Sequence, residues 1–250
     1  MNHEEHCDAL ENDAHRLASL LSGADAEAAV PTCPGWNLGE LTEHVGGLYR
    51  WSAAHVAASA RSRIDHSALD LGPPAERATP AWLASGIAPM LDTFRASDPE
   101  ATVWGWGADR HNRFWPRRML FETVVHRADA AFAHGGQPDI DPAVAVDGID
   151  ELLANLPHAA YFAPGIADLR GDGERIALRS ADADRTWMVR LLPAGYAWDW
   201  SSGRADVTVD APAADLLLLL YGRRTAGDAA RFTVEGDGAL LGRFVTAAAL

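Results

Sequence analysis

The hydrophobic period of the chain changes once, and that change limits what the chain can fold into. Up to about residue 156 the apolar residues recur at helical spacing, as with Leu10, Leu17, Leu20 and Leu21 in "LENDAHRLASLL". After "PHAAYFAPG" they alternate, as in "IALRS", "TWMVRLL", "YAWDWSS" and "ADVTVDA". A helical half followed by a mixed half predicts an α+β protein with a helical bundle over 1–160 and a small α+β domain over 161–250. At 250 residues both halves are long enough to bury a core.

Punctuation divides the helical half. Asn37 and Glu40 form a capping-box signature for a helix running to about residue 60. Thr79 and Pro80 supply an N-cap and a first-turn proline for "TPAWLASGIAPMLDTFRA", in which Pro89 predicts a kink. A further helix begins between Phe114 and Arg117 and ends at Gly135-Gly136. "DPAVAVDGIDELLANL" opens on Asp-Pro and gives a fifth. In the second half, Trp187, Val189 and Leu191 share one strand face, and Tyr196, Trp198 and Trp200 another. A helix over "PAADLLLLLYGRR", the strand "RFTVEG" and a closing helix over "DGALLGRFVTAAA" complete it.

Charge excludes several function classes. A formal charge of −14 leaves no surplus of cations for nucleic acid or for an anionic membrane surface. All 21 basic residues are arginine, so chemistry through a lysine Schiff base is impossible and any carboxylate clamp must be an arginine. The opening "MNHEEHCDAL" has no apolar run of the secretory kind, and "LLLLLY" is too short to cross a bilayer. With Cys7 and Cys33 alone, no disulfide framework is implied, and a cytoplasmic location is expected.

Three polar residues fall on faces that ought to be buried. "FETVVHR" sets Glu122 and His126 one turn apart on the face that carries Met119, Ala130 and Ala133. His44 lies among Leu41, Val45 and Leu48 on another helix. Two imidazoles and a carboxylate facing into a bundle make a zinc-type ligand set with three protein ligands. The alternative is a satisfied core histidine and a Glu–His pair. His55 lies on nearly the same face as His44, but about 16 Å along the axis at 1.5 Å per residue, so the two cannot share one ion.

Other candidates have ordinary readings too. His3, His6, Cys7 and His15 form a loose group at an end expected to fray into solvent. Asp129 either orients His126 or makes an exposed salt bridge. Cys33 reads as a small residue packed beneath Trp36 or as a reactive thiol. The tryptophans 104, 106 and 115 read as core or as a pocket wall.

"VPTCPGWNLGELTEHVGG", "VWGWGADRHNRFWPRRMLFETVVHRADA" and "ADVTVDAPAADLLLLLYGRR" with "FTVEGDGALLGRFV" resemble the mycothiol-dependent maleylpyruvate isomerase family. The resemblance runs through nearly the whole chain. It implies a DinB-like metal-binding four-helix bundle with a C-terminal domain similar to sterol carrier protein. It also implies a divalent metal, zinc by family habit, on His44, Glu122 and His126, and so decides against His55. Mycothiol would be the thiol cosubstrate, and a small electrophile, anionic where it resembles maleylpyruvate, the substrate. In the implied reaction the thiolate adds to a cis double bond, the new single bond rotates, and elimination leaves the trans isomer; without elimination the outcome is thiol S-transfer. A C-terminal-domain arginine is implied as catalytic, either Arg223 or Arg224 in "YGRR", with Arg223 preferred. Phe121 departs from the family pattern, where a histidine commonly precedes the glutamate. Two other functions fit the residues: a metal-hydroxide hydrolase, which would work without thiol, and a non-catalytic small-molecule or lipid-binding protein with a structural metal.

Overall fold

The computed structural model describes residues 1–69, 71–73 and 78–249. It divides into two compact units, Met1–Asp139 and Ile140–Leu250. The first is a helical bundle of α1 (His3–Leu21), α2 (Leu38–Ala57), α3 (Pro80–Ser85), α4 (Ile87–Ala96) and α5 (Phe114–Ala133). α1 packs on α5, and α2 lies against both α4 and α5. Leu10, Leu17, Leu41, Val45, Tyr49, Phe94, Leu120 and Val124 fill the interior between them. α5 is buried along almost all its length, so it is the central helix of the unit.

Both long N-terminal helices start from the same device. Asn37 Oδ1 accepts from Glu40 N–H while Glu40 Oε2 accepts from Asn37 N–H, as the spacing predicts. Asn2 and Glu5 do the same for α1. The N-terminus therefore does not fray as expected. His6 and Cys7 are buried, His3 Nε2 lies 3.1 Å from the Phe94 carbonyl, and Arg95 of α4 bridges to Glu4, Asp8 and Glu11. The single kinked helix expected over 79–96 is two helices that meet at Gly86. Pro89 sits in the first turn of α4, where its missing N–H has no intrahelical acceptor to lose. At Gly46 a Cβ would come within 2.3 Å of the Trp82 ring, so only glycine lets that indole lie against α2.

The second unit comprises α6 (Pro142–Asn155), β1 (Arg175–Ser180), β2 (Arg185–Leu192), β3 (Gly195–Asp199), β4 (Val207–Ala211), α7 (Ala213–Leu220), β5 (Thr233–Gly236) and α8 (Gly238–Ala248). The sheet order is β3-β2-β1-β4-β5, antiparallel except for the central β1–β4 pair. Trp187, Val189 and Leu191 are buried on one face, as their alternation predicts. Across the parallel pair, Arg179 and Asp210 stand opposite each other and join at 2.7 and 2.6 Å.

The expected division at residue 160 is displaced to Asp139/Ile140. α6 has the helical period of the bundle but packs on α7. Trp187 Nε1 donates to Asp150 at 2.6 Å, and Tyr196 Oη donates to the Leu153 carbonyl at 2.6 Å. These bonds tie α6 to the sheet. Trp200, expected to share a face with Tyr196 and Trp198, lies past the end of β3 and is mostly exposed. Among the described residues, no helix is long and apolar enough to cross a membrane.

Candidate metal centre

The site is built where α2 meets α5, behind a turn over 29–37. Val30 N–H donates to the Trp36 carbonyl, Cys33 N–H to that of Val30, and Trp36 N–H to that of Cys33. Gly35 makes the turn possible with φ at +88°. The Asn37 cap then launches α2, which carries His44 inward two turns later. One turn beyond, Tyr49 Oη lies 2.8 Å from Thr123 Oγ1, and that hydroxyl donates to the Met119 carbonyl. The two helices are thereby locked at the level of the site.

His44, Glu122 and His126 converge. His44 Nε2 is 3.1 Å from Glu122 Oε1, His126 Nε2 is 3.7 Å from the same oxygen, and all three ligand atoms lie within 4.8 Å of one another. Glu122 turns its other oxygen, Oε2, to Arg118 Nη2 at 2.7 Å. His126 turns its other nitrogen, Nδ1, to Asp129 Oδ2 at 2.9 Å. Trp36 covers the pair of imidazoles, 4.9 Å from the His44 ring and nearly parallel to that of His126 at 5.9 Å. The His44 side chain is 33% exposed and that of His126 9%, so access is from the α2 side.

The electrostatics are those of a cluster of mutually compensating charges. Burial alone would raise the Glu122 carboxyl; Arg118, followed by hydrogen bonds from His126 and His44, overcomes it and holds the group well below its ordinary value. Burial alone would lower His126; hydrogen bonds with Asp129, Cys33 and Glu122 overcome it and hold the imidazolium well above 6.5. In this state His126 is a cation that partly neutralises two carboxylates.

The donor set fits a zinc-type ion. Ligands about 2.0–2.1 Å from a tetrahedral centre lie about 3.3 Å from one another, close to the two shorter separations here. Arg118 and Asp129 occupy the far atoms of Glu122 and His126, so the near atoms are the ones left to bind. Cys33, His126 and Asp129 form a second group within the same 4.8 Å limit. Its members are joined by hydrogen bonds, with Cys33 Sγ donating to Asp129 Oδ2 at 3.2 Å.

The remaining candidates separate clearly. Asp129 is wholly buried beside His126, so the exposed salt bridge is excluded. Cys33 lies beside His126 and bonded to Asp129, a placement that only a long-range contact reveals. His55 is the satisfied core histidine: Nδ1–H donates to the Trp51 carbonyl and Nε2 accepts from Ile64 N–H, each at 2.9 Å. Burial holds its imidazole below its ordinary value. The rings of Trp51, Trp104 and Trp115 surround it; Trp51 and Trp115 are core, and Trp104 is partly exposed. His55→Ala should leave metal content unchanged and cost about 2–3 kcal/mol of stability, from a cavity and two broken hydrogen bonds; elemental analysis and thermal melting check both. Of the N-terminal group, Cys7 is pushed up to about 11 by burial first and then by Glu4, so it is a poor thiolate. Phe121 is fully buried. In the second unit, Arg224 Nε lies 3.3 Å from Asp215 Oδ1, and Arg223 Nη1 donates to the Tyr221 carbonyl.

Comparison with known proteins matches the mycothiol maleylpyruvate isomerase N-terminal domain to residues 7–131 and the MDMPI C-terminal domain to residues 143–243. The crystal structure of the mycothiol-dependent maleylpyruvate isomerase is 14% identical, with 94% of this chain and 93% of that one covered at a TM-score of 0.59. The structure of a histidine-to-alanine mutant of that isomerase is 13% identical over the same shares, with a TM-score of 0.61. At that identity the likeness is one of fold. No curated protein matches the chain. The two domain models together span most of the sequence in its order, from the helical bundle to the sheet, and the chain belongs to the mycothiol-dependent maleylpyruvate isomerase family.

Proposed function

We propose that this chain is a metal-dependent enzyme that uses the thiol of mycothiol against a small electrophile, in a maleylpyruvate-type cis–trans isomerisation or a thiol S-transfer. The observation that carries the reading is the convergence of His44 Nε2, Glu122 Oε1 and His126 Nε2 from two helices. Three protein ligands are the complement of a catalytic zinc site. When bound, a divalent cation, zinc by this donor set, favours the deprotonated, nucleophilic form of a thiol at neutral pH.

The chain's own residues do the rest. Asp129 keeps the proton on Nδ1 of His126, which reserves Nε2 for the cation. Arg118 fixes Glu122 by its outer oxygen and keeps it ionised. Trp36 covers the imidazoles against water. For a substrate carboxylate the chain can offer only arginine. Arg223 is our candidate, as the family resemblance of "YGRR" implies. Its planar fork suits a carboxylate.

Isomerisation of maleylpyruvate, followed spectrophotometrically with and without mycothiol, tests the reading. Turnover should require both thiol and metal and fall at least about 100-fold in His44→Ala. Metal-dependent turnover of an ester or amide without thiol would replace the reading with that of a hydrolase.

A second expectation follows from the charged state of the metal-free site. The raised His126 contributes stability that is complete below 6.5 and is lost as pH rises through its elevated value. The depressed Glu122 contributes stability that is present above the ordinary carboxylate range and is lost as pH falls through its lowered value. A raised His126 means that an ion bound at Nε2 competes with a proton there, so zinc uptake should release protons. Titration calorimetry in two buffers of different ionisation enthalpy measures this. No release would mean that the imidazole is already neutral before the ion binds or that His126 is not a ligand.

A further inference from the structure

None of the three proposed ligands comes from the turn before α2, yet two of its side chains reach the site. We propose that Thr32 and Cys33 are positioning residues for His126, Thr32 through Asp129 and Cys33 both through Asp129 and by lying against the imidazole itself. The proposal rests on the reading of His44, Glu122 and His126 as a metal centre.

The Asp129 carboxylate is wholly buried and so depends on protein donors. Thr32 Oγ1–H reaches Oδ1 at 2.6 Å, Cys33 Sγ–H reaches Oδ2 at 3.2 Å, and His126 Nδ1–H reaches Oδ2 at 2.9 Å. Both oxygens are thus bound by residues nearly a hundred positions earlier in the chain. Turning the carboxylate about its own bond would break contacts on both sides. The acceptor for Nδ1–H is therefore fixed in place, which fixes the orientation of the ring and the direction in which Nε2 points. Nε2 faces Glu122 Oε1 and the His44 ring.

The same turn holds the ring by its face. Trp36 stacks on His126 with 15° between the planes. Backbone hydrogen bonds among Val30, Cys33 and Trp36 make the turn rigid enough for Thr32, Cys33 and Trp36 to act as one bracket. With its hydrogen directed at Asp129, Cys33 serves here as a donor rather than a nucleophile.

The test compares zinc affinity by competition with a chromogenic chelator. The proteins are wild type, Thr32→Val, Cys33→Ala, Thr32→Ser, Cys33→Ser and His44→Ala, with absorption spectra of their cobalt(II) forms. Loss of either donor should weaken zinc about 10-fold and alter the cobalt ligand-field bands, while each serine variant should stay within about threefold of wild type. Unchanged affinity in Thr32→Val and Cys33→Ala, with binding abolished in His44→Ala, would overturn the positioning role and keep the metal centre. No zinc on the wild type would overturn both. A thiolate-to-cobalt charge-transfer band that disappears in Cys33→Ala would make Cys33 a ligand and overturn the proposal. Equal losses in the alanine, valine and serine variants would reduce the turn to packing and overturn it as well.

Discussion

Glu122→Gln should take bound zinc from about one ion per chain to a small fraction of that, without loss of the fold. Glu122 Oε1 is the vertex shared by both imidazoles, at 3.1 Å from His44 and 3.7 Å from His126. It is also the only anionic member of the trio. An amide oxygen in its place keeps the shape but removes the charge that a divalent ion needs, so affinity should fall more than about 100-fold. Elemental analysis of protein purified without chelators reads the result directly.

Glu122→Ala should lose the metal equally and destabilise the bundle as well. Arg118 is 2% exposed, and its guanidinium would keep its charge after losing the carboxylate 2.7 Å away. Breaking a buried pair costs about 3–5 kcal/mol. The Glu122 side chain is 23% exposed, so about 2–3 kcal/mol is expected here. Zinc content equal to wild type in either variant would remove the metal centre, and with it the function built on it.

The trio was legible because each member contradicts its surroundings. Glu122 and His126 one turn apart, and His44 among Leu41, Val45 and Leu48, are polar groups on apolar faces. Helical spacing exposes such conflicts without any knowledge of tertiary contacts. Family resemblance then chose His44 over His55, and the hydrogen bonds at both nitrogens of His55 give a physical reason for that choice.

What stayed hidden depends on partners far apart in the chain. Nothing near Thr32 and Cys33 in the sequence marks their role, because their acceptor, Asp129, lies 96 to 97 positions away. Nothing local shows that Arg118 is buried against Glu122. α6 was misassigned because period reports that a segment is a helix and not which layer it joins; hydrogen bonds from Trp187 and Tyr196 decide that. The start of α1 is a different case. Asn2 and Glu5 carry the spacing that located α2 at Asn37 and Glu40, so that helix start was readable and was passed over because it stood at a terminus.

The ion pair between Asp13 and Arg127 should prove the costliest polar contact of the bundle outside the site. Asp13 on α1 meets Arg127 Nε on α5 at 2.5 Å, and Arg127 Nη2 donates to the Asp139 carbonyl at 2.7 Å. Both residues are buried, at 7% and 3% exposure. Asp13→Ala strands a guanidinium in the interior, and the expected loss is about 3–5 kcal/mol. For a unit of this size that lowers the melting temperature by on the order of 10 °C, followed by far-UV ellipticity. Replacing both partners, as in Asp13→Leu with Arg127→Met, should recover most of the loss, because the cost lies in the unpaired charge and not in the absent pair. Arg127 is also the residue next to His126, so the single variant should loosen α5 at the site and weaken zinc binding, while the double variant restores it. A double variant as unstable as Asp13→Ala would mean that the pair is itself a net source of stability, and that the bundle depends on it to set α1 against α5.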